Sequence, residues 1–456
     1  MGVLQAPNAG TRICPSVVSG LVPPYDDADD EWGNGGADGG HSSARLDVMP
    51  ARETKRSEKK RGAILDAATR HFNRTGVRGA TLTGIAADVG LVTNSVTYYY
   101  RKKEDLAAAC LLRAVDALRA TIAQAMEQPA PAARLEALLQ IYARRLAAGV
   151  TGELPPLMSF NDIRALGNPQ AEMVFEAYNG MFRQLRELFE PAQLGLGRME
   201  RNARTHLLLS LLHATQDWIG RYEVQDYERA AQWIGTILMA GIGGRPVSWQ
   251  PTPAIEALFE SEEDAPREAF LRVATRLINR QGYRGASVEK IAAELNVTKG
   301  SFYHHIDSKD ELIVGCFERS FRVIRRAQNS GFAAEGTGLD RLTAVTADLL
   351  AYQLSDHGPV LRISALNALP ETLREKMKIA MERLARRYED FFVDGMTDGS
   401  IRAIHPGIAA QLLDGMINAV IELEWWTGGA SSDDAVRYYA TPLFSGIFSD
   451  PLGGAR

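Results

Sequence analysis

The chain has 456 residues, 45% hydrophobic and 23% charged, with a formal net charge of −5. That is ordinary composition for a globular protein with room for two to four domains. No apolar run approaches the ~20 residues of a membrane helix, no secretory leader pattern opens the chain, and three cysteines are too few for a disulfide framework; the expectation is a cytoplasmic protein.

Residues 1–50 are rich in Gly, Asp, Pro and Ser, net acidic and without periodicity, so they read as a disordered acidic tail. Residues 51–106 carry about twice as many Lys and Arg as Asp and Glu. They begin with a basic stretch, Arg52, Lys55, Arg56, Lys59, Lys60 and Arg61, which is either a solvated leader or an arm of the kind that enters a minor groove. Ile64, Leu65, Ala68 and Phe72 recur at helical spacing through Arg74, and Gly76 stops that helix. Thr81 caps a second helix through Ala87. A turn at Asp88–Leu91 leads to a short third helix over about Thr93–Tyr99. A long fourth helix then runs from Arg101–Lys103 to about Met126.

Residues 107–242 read as a helical body broken by Pro155-Pro156, Pro169 and Pro191. Residues 243–266, with Pro246, Pro251, Pro253 and an acidic run at 261–264, read as a linker. Residues 267–312 and 313–456 then repeat the plan. The segments 65–106 and 271–312 align without a gap at an offset of 206, and about 16 of 42 positions are identical. A repeat of this length is a duplicated domain. Nothing reads as a strand, so the fold class is all-α.

The repeated unit has the shape of a helix-turn-helix: a buttressing helix, a tight turn and a short helix that is polar outside. In the second copy Ser287 caps, Ile291, Ala292 and Leu295 face inward, Asn296 makes the turn, and Val297, Phe302 and Ile306 are the expected anchors. Thr298, Lys299, Ser301, Tyr303 and His304 are left outside. In the first copy the anchors are Leu91, Val96 and Tyr100, and the outer candidates are Thr93, Asn94, Ser95, Thr97 and Tyr98. Both units are net positive inside an acidic chain, the polarity that steers a protein towards phosphate.

These residues resemble the N-terminal domain of the TetR (tetracycline-repressor-type) family of bacterial transcription regulators. The resemblance rests on the helix ending Asn-Arg-x-Gly, on Ile-Ala-Ala, and on Thr-Lys-Gly-Ser-Phe-Tyr-His-His-Ile-x-Ser-Lys-x-Glu-Leu. It covers the motif of about 45 residues twice; the first copy departs at Thr93, Asn94 and Thr97. It implies two tandem TetR-like units, each a three-helix reading head followed by a helical ligand-binding and dimerisation body. Tyr303 and His304 would touch phosphate or base, Lys309 and Lys103 would contact phosphate at a helix N-terminus, and Ser287 and Thr81 would add phosphate contacts. The implied partners are a double-stranded DNA operator and a small-molecule effector. The assembly would be an intramolecular pseudo-dimer or a homodimer, with no membrane and no cofactor. The effector-site candidates are Phe160, Phe175, Tyr178 and His213, with Met158, Met173 and Met181 nearby in sequence, and in the second body Tyr352, Met377, Met416 and Trp425.

The reading is therefore a ligand-responsive DNA-binding regulator, a repressor by expectation. The alternatives are an architectural DNA-binding protein without effector and an interaction protein with degenerate heads. No P-loop, dinucleotide fingerprint, zinc motif or nucleophile elbow suggests an enzyme. Adjacent His304 and His305 point about 100° apart on a helix and make a poor metal chelate. Cys110 and Cys316 occupy equivalent positions, where buried packing is the commoner use and redox sensing the rarer.

Overall fold

The structure is a computed structural model that describes residues 55–449, apart from 161–162, 164–165, 192–193, 250–251, 253–254, 260–264, 284 and 424–430. The acidic tail and Arg52 lie outside the described residues, as does Trp425. The described secondary structure is helical, with one isolated bridge between Gly243 and Ile401.

The first head consists of α1 (Lys55–Gly79), α2 (Leu82–Asp88) and α3 (Thr93–Tyr99). Its body is α4 (Lys103–Met126), α5 (Pro131–Thr151), α6 (Gln170–Arg186), α7 (Arg198–Trp218) and α8 (Tyr227–Ala240). The second head is α9 (Ala265–Gln281), α10 (Val288–Glu294) and α11 (Lys299–His305). Its body is α12 (Lys309–Ala333), α13 (Gly338–Leu354), α14 (Glu371–Thr397) and α15 (Pro406–Ala419), followed by further helical turns over 432–445.

Local chemistry sets the head boundaries. Gly76 and Gly282 both take φ 70°, Gly76 kinking α1 near its end and Gly282 directly following α9, a positive φ that costs glycine little. The side chain of Thr81 accepts from the Gly84 amide and that of Ser287 from the Lys290 amide, satisfying donors that a helix start leaves open. The tight turn needs positive φ again, met by Gly90 (65°) in one copy and Asn296 (53°) in the other.

Two expectations change. Val297 is 39% exposed and does not anchor α11; Phe302 and Ile306 are buried with Ile291 and Phe270, while Leu295 packs against their edge. Nor is the basic stretch an extended arm over its described part. From Lys55 it is the first turns of α1, held against the head by Ser57 to the Tyr99 hydroxyl at 3.2 Å and by Arg61 Nε donating to the Tyr100 hydroxyl at 3.1 Å.

The halves are joined by packing as well as by chain. In the first, α4 packs on α1, α5 and α6; in the second, α12 packs on α9, α13 and α14. Helices α7 and α8 of the first half lie against α15 of the second. Gly415 permits that approach, since a Cβ there would stand 3.0 Å from Leu211 Cδ2 and 3.5 Å from Ala214 Cβ. The buried Arg204 on α7 donates to the carbonyls of Ile447 (2.8 Å) and Ser449 (2.7 Å). His206 bridges Tyr439 (2.8 Å) and Glu422 (2.9 Å), and Glu422 in turn accepts from Arg362 (2.8 Å).

The segment read as a linker is packed against the second body over its described residues. The Gly243 amide donates to Phe444 O and the Gly244 amide to Ser400 O, Arg245 pairs with Asp340, Trp249 meets Phe444 edge-on, and Thr252 bonds the buried Asp348 through both amide and hydroxyl.

Candidate nucleic-acid interface and effector site

Each head presents a short helix with one buried side and one open side. Val96 in α3 and Phe302 in α11 are fully enclosed, as are Tyr100 and Ile306 just beyond the helix ends. The opposite side of α3 carries Asn94 and Tyr98, the latter 80% exposed, with Thr93, Ser95 and Thr97 partly covered. The opposite side of α11 carries Lys299, His304 and Tyr303, the last 53% exposed, with Ser301 partly covered. Each open polar side, with one exposed tyrosine ring, has the form of a reading helix.

Several expected contact residues already have protein partners. Thr298 is the N-cap of α11, its hydroxyl accepting from the Ser301 amide at 3.2 Å. Thr97 donates to Asn94 O, and Thr93 donates to Thr83 Oγ1 at 3.3 Å. Lys299 is ion-paired with Glu289 of α10. Its ammonium hydrogen-bonds the Glu289 carboxyl and holds it well below the carboxylate range, at about 2.

The two lysines expected at phosphate differ. Lys103 Nζ donates to the carbonyls of Arg78 (3.2 Å) and Ala80 (3.1 Å), so it closes the turn after α1. Lys309 Nζ lies 4.4 Å from the centre of the Tyr283 ring, a cation–π contact. The N-terminus of α12 is already capped by the Ser308 hydroxyl on the Glu311 amide.

The heads also meet each other and the bodies. A Cβ on Gly285 of the second head would fall 2.5 Å from Arg78 Nη1 of the first, and α1 packs against the turn Ile363–Ala368 of the second body. In each head one asparagine reaches into its own body, beside ion pairs such as Arg113–Asp66 and Arg319–Glu268. Asn73 donates to Leu157 O (2.8 Å) and accepts from the Ser159 amide (2.9 Å). Asn279 donates to Val360 O (2.9 Å) and accepts from the Arg362 amide (3.0 Å). Sequence reasoning used these asparagines only as a motif; their presence at the same place in both copies was the signal for a shared structural role.

Of the effector candidates, three converge. Phe160 lies 4.8 Å from the His213 ring and 5.4 Å from the Tyr178 ring, centre to centre. The His213 Nε2 is sealed from solvent with no partner among the described residues, while the residue as a whole is half-buried. Burial pushes this imidazole down to about 3, so it is neutral at physiological pH. Phe175, one turn before Tyr178 on α6, is half-buried, and Met158 and Met181 are enclosed. In the second body Tyr352 is buried and stacked on Phe259, and Met377 and Met416 are enclosed core residues. A cavity of about 350 Å³ lies elsewhere, lined by Trp233 and Thr236 of α8 with Met396, Ala403, Ile404, His405 and Pro406.

Cys110 and Cys316 are buried and donate to the equivalent carbonyls of Leu65 and Leu271. Burial pushes both thiols up to about 11, which makes them poor nucleophiles. Among the described residues no group of three or more His, Cys, Asp or Glu is placed to hold a metal, and no helix is long and apolar enough to cross a membrane.

Comparison with known proteins finds two matches to the model of bacterial regulatory proteins of the tetR family, at residues 64–110 and 270–316. The tetracyclin repressor-like C-terminal domain matches residues 335–447. The chain is 25% identical over 151 residues to the HTH-type transcriptional repressor DhaR of Mycobacterium sp. (strain GP1), covering 32% of this chain and 76% of that protein. It is 29% identical over 127 residues to the repressor NemR of Escherichia coli (strain K12), covering 27% and 63%. With the repressor KstR2 of Rhodococcus jostii (strain RHA1) it shares 26% over 215 residues, covering 44% and 98%. Among solved structures it is similar to the TetR family transcriptional regulator PfmR from Thermus thermophilus, with 18% identity, coverage of 38% of this chain and 95% of that one, and a TM-score of 0.32.

Proposed function

The chain belongs to the TetR family of bacterial regulatory proteins, and from that premise we propose that it is a ligand-responsive repressor in which one polypeptide supplies both reading heads. The observation that carries the reading is the pairing of two equivalent helix-turn-helix heads, each with an open reading helix, on two bodies joined through α7, α8 and α15. In a two-fold DNA-binding dimer the heads address half-sites about one helical turn apart. Here the pair is covalent and packed, so one chain takes the place of the dimer. Its relatives DhaR, NemR and KstR2 bear the name transcriptional repressor.

The effector is proposed to enter the first body at Phe160, Tyr178 and His213. A neutral imidazole with a free nitrogen between aromatic rings favours an uncharged, largely apolar molecule with one hydrogen-bonding group. Phe160 follows Ser159, whose amide is held by Asn73 of the first head. Displacing Phe160 therefore pulls on the clamp that sets the head, and a ligand that prefers the displaced geometry shifts the population away from the DNA-binding one. Genome-wide mapping of bound DNA, followed by anisotropy titration on the recovered operator, tests this. Salt-dependent binding at one chain per operator is expected; absence of any operator preference over random duplex would overturn it.

A further inference from the structure

We infer that Glu289 and Lys299 together read a G·C base pair that only the second head requires, so that the two half-sites of the operator differ at that position. The inference rests on the DNA-binding reading above.

The two heads superimpose their sequences at an offset of 206, and the pair 289/299 is the counterpart of 83/93. In both heads the first residue of the reading helix reaches back to the first turn of the preceding helix. In the first head that contact joins two hydroxyls, Thr93 Oγ1 donating to Thr83 Oγ1 at 3.3 Å. In the second it joins an ammonium and a carboxylate. The placement is the same and the chemistry is different.

Lys299 sits where base edges are met, because a reading helix enters the major groove with its N-terminal residues towards the bases, and Glu289 of the preceding helix is held beside it. Lys299 is the first residue of α11, and the two side chains are 56% and 58% exposed. They fill no core, and an exposed ion pair adds little to stability.

Lys299 meets the Glu289 carboxylate in the free head; once that ammonium turns to acceptors on a base, a carboxylate close to phosphate is repelled unless a base donor meets it. Glu289 is an acceptor only, held in its charged form by Lys299. Across the major groove a G·C pair shows two acceptors, guanine N7 and O6, and then one donor, the cytosine N4 amino group. An ammonium beside a carboxylate matches that order. An A·T pair shows acceptor, donor, acceptor and a methyl group, which sets an acceptor and a methyl on the side where Glu289 needs its donor. The Thr83–Thr93 pair can donate or accept at either position and imposes no such choice.

The test uses the full chain. Selection from a randomised duplex library gives the operator of the parent, of Glu289→Thr/Lys299→Thr, and of the reciprocal Thr83→Glu/Thr93→Lys. The expected parent operator has one half-site with a G·C pair whose change to A·T weakens binding about tenfold or more. Glu289→Thr/Lys299→Thr should lose that preference and keep the other half-site, and the reciprocal variant should gain a G·C requirement there. Circular dichroism confirms that each variant is folded. Unchanged base preferences in a folded Glu289→Thr/Lys299→Thr chain, or a perfectly palindromic parent operator, would overturn the inference alone. A parent that selects no sequence would overturn the DNA-binding reading and this inference with it.

Discussion

Replacing Asn73 by alanine should loosen the first head from its body without unfolding either. The side chain donates to Leu157 O at 2.8 Å and accepts from the Ser159 amide at 2.9 Å, so the substitution removes two hydrogen bonds and leaves a carbonyl and an amide without their partner. At about 0.5–1.5 kcal/mol for each bond, the local loss is about 1–3 kcal/mol. Since 1.4 kcal/mol is tenfold in an equilibrium constant, opening of the 157–160 segment should become roughly 5- to 150-fold more frequent. Native-state hydrogen exchange reads this directly at the Ser159 amide. Asn279→Ala should do the same at the Arg362 amide, whose bond to Asn279 Oδ1 is 3.0 Å, and each effect should stay in its own half. Asn73→Asp keeps the acceptor for Ser159 but turns a carboxylate oxygen towards Leu157 O, so it should loosen the segment at least as much at neutral pH. If Ser159 exchanges no faster in Asn73→Ala than in the parent, the clamp does not tie head to body.

Three other outcomes are expected. Phe302→Ala removes a fully enclosed ring from the core of the second head and should cost about 3–5 kcal/mol, seen as loss of that head's cooperative unfolding while the first head still melts normally. Asp414, half-buried on α15, has its carboxyl pushed up by burial to about 6; a group raised in the folded state contributes fully below its unfolded value and loses that contribution as pH rises through the folded one. Asp414→Asn should therefore stabilise the chain by about 2 kcal/mol at pH 7.5 and by almost nothing at pH 3.5, as read by denaturant titration, and equal effects at both pH values would refute the assignment. Light scattering at micromolar concentration should give the mass of one chain, because α7, α8 and α15 are already engaged within it; twice that mass would refute the single-chain arrangement.

What the sequence made legible was whatever neighbouring residues decide. The caps Thr81 and Ser287, the left-handed Gly76 and Asn296, and the start of the fourth helix at Lys103 follow from contacts within a few positions. What it hid depends on partners far along the chain. Val297 has the character of an anchor, but the enclosed volume is filled by Phe302, Phe270 and Ile306. Lys103 looks like a phosphate ligand and closes a turn 23 to 25 residues away. Residues 243–249 and Thr252 have a linker's composition and are held by Asp340, Asp348 and Phe444.

The duplication offers a further guide that periodicity does not. Many residues on which the two copies agree serve the scaffold, as the asparagine clamps, Gly76 and Gly282, and the enclosed Ile85 and Ile291 do. Where they differ at exposed positions that still touch one another, as at 83/93 and 289/299, packing does not choose the residues. A solvent-facing contact kept in geometry and changed in chemistry has been free to follow whatever each head meets. On the proposed reading the two heads of one chain meet different half-sites of the same duplex. Divergence at that contact then separates the half-sites without disturbing the fold that presents them.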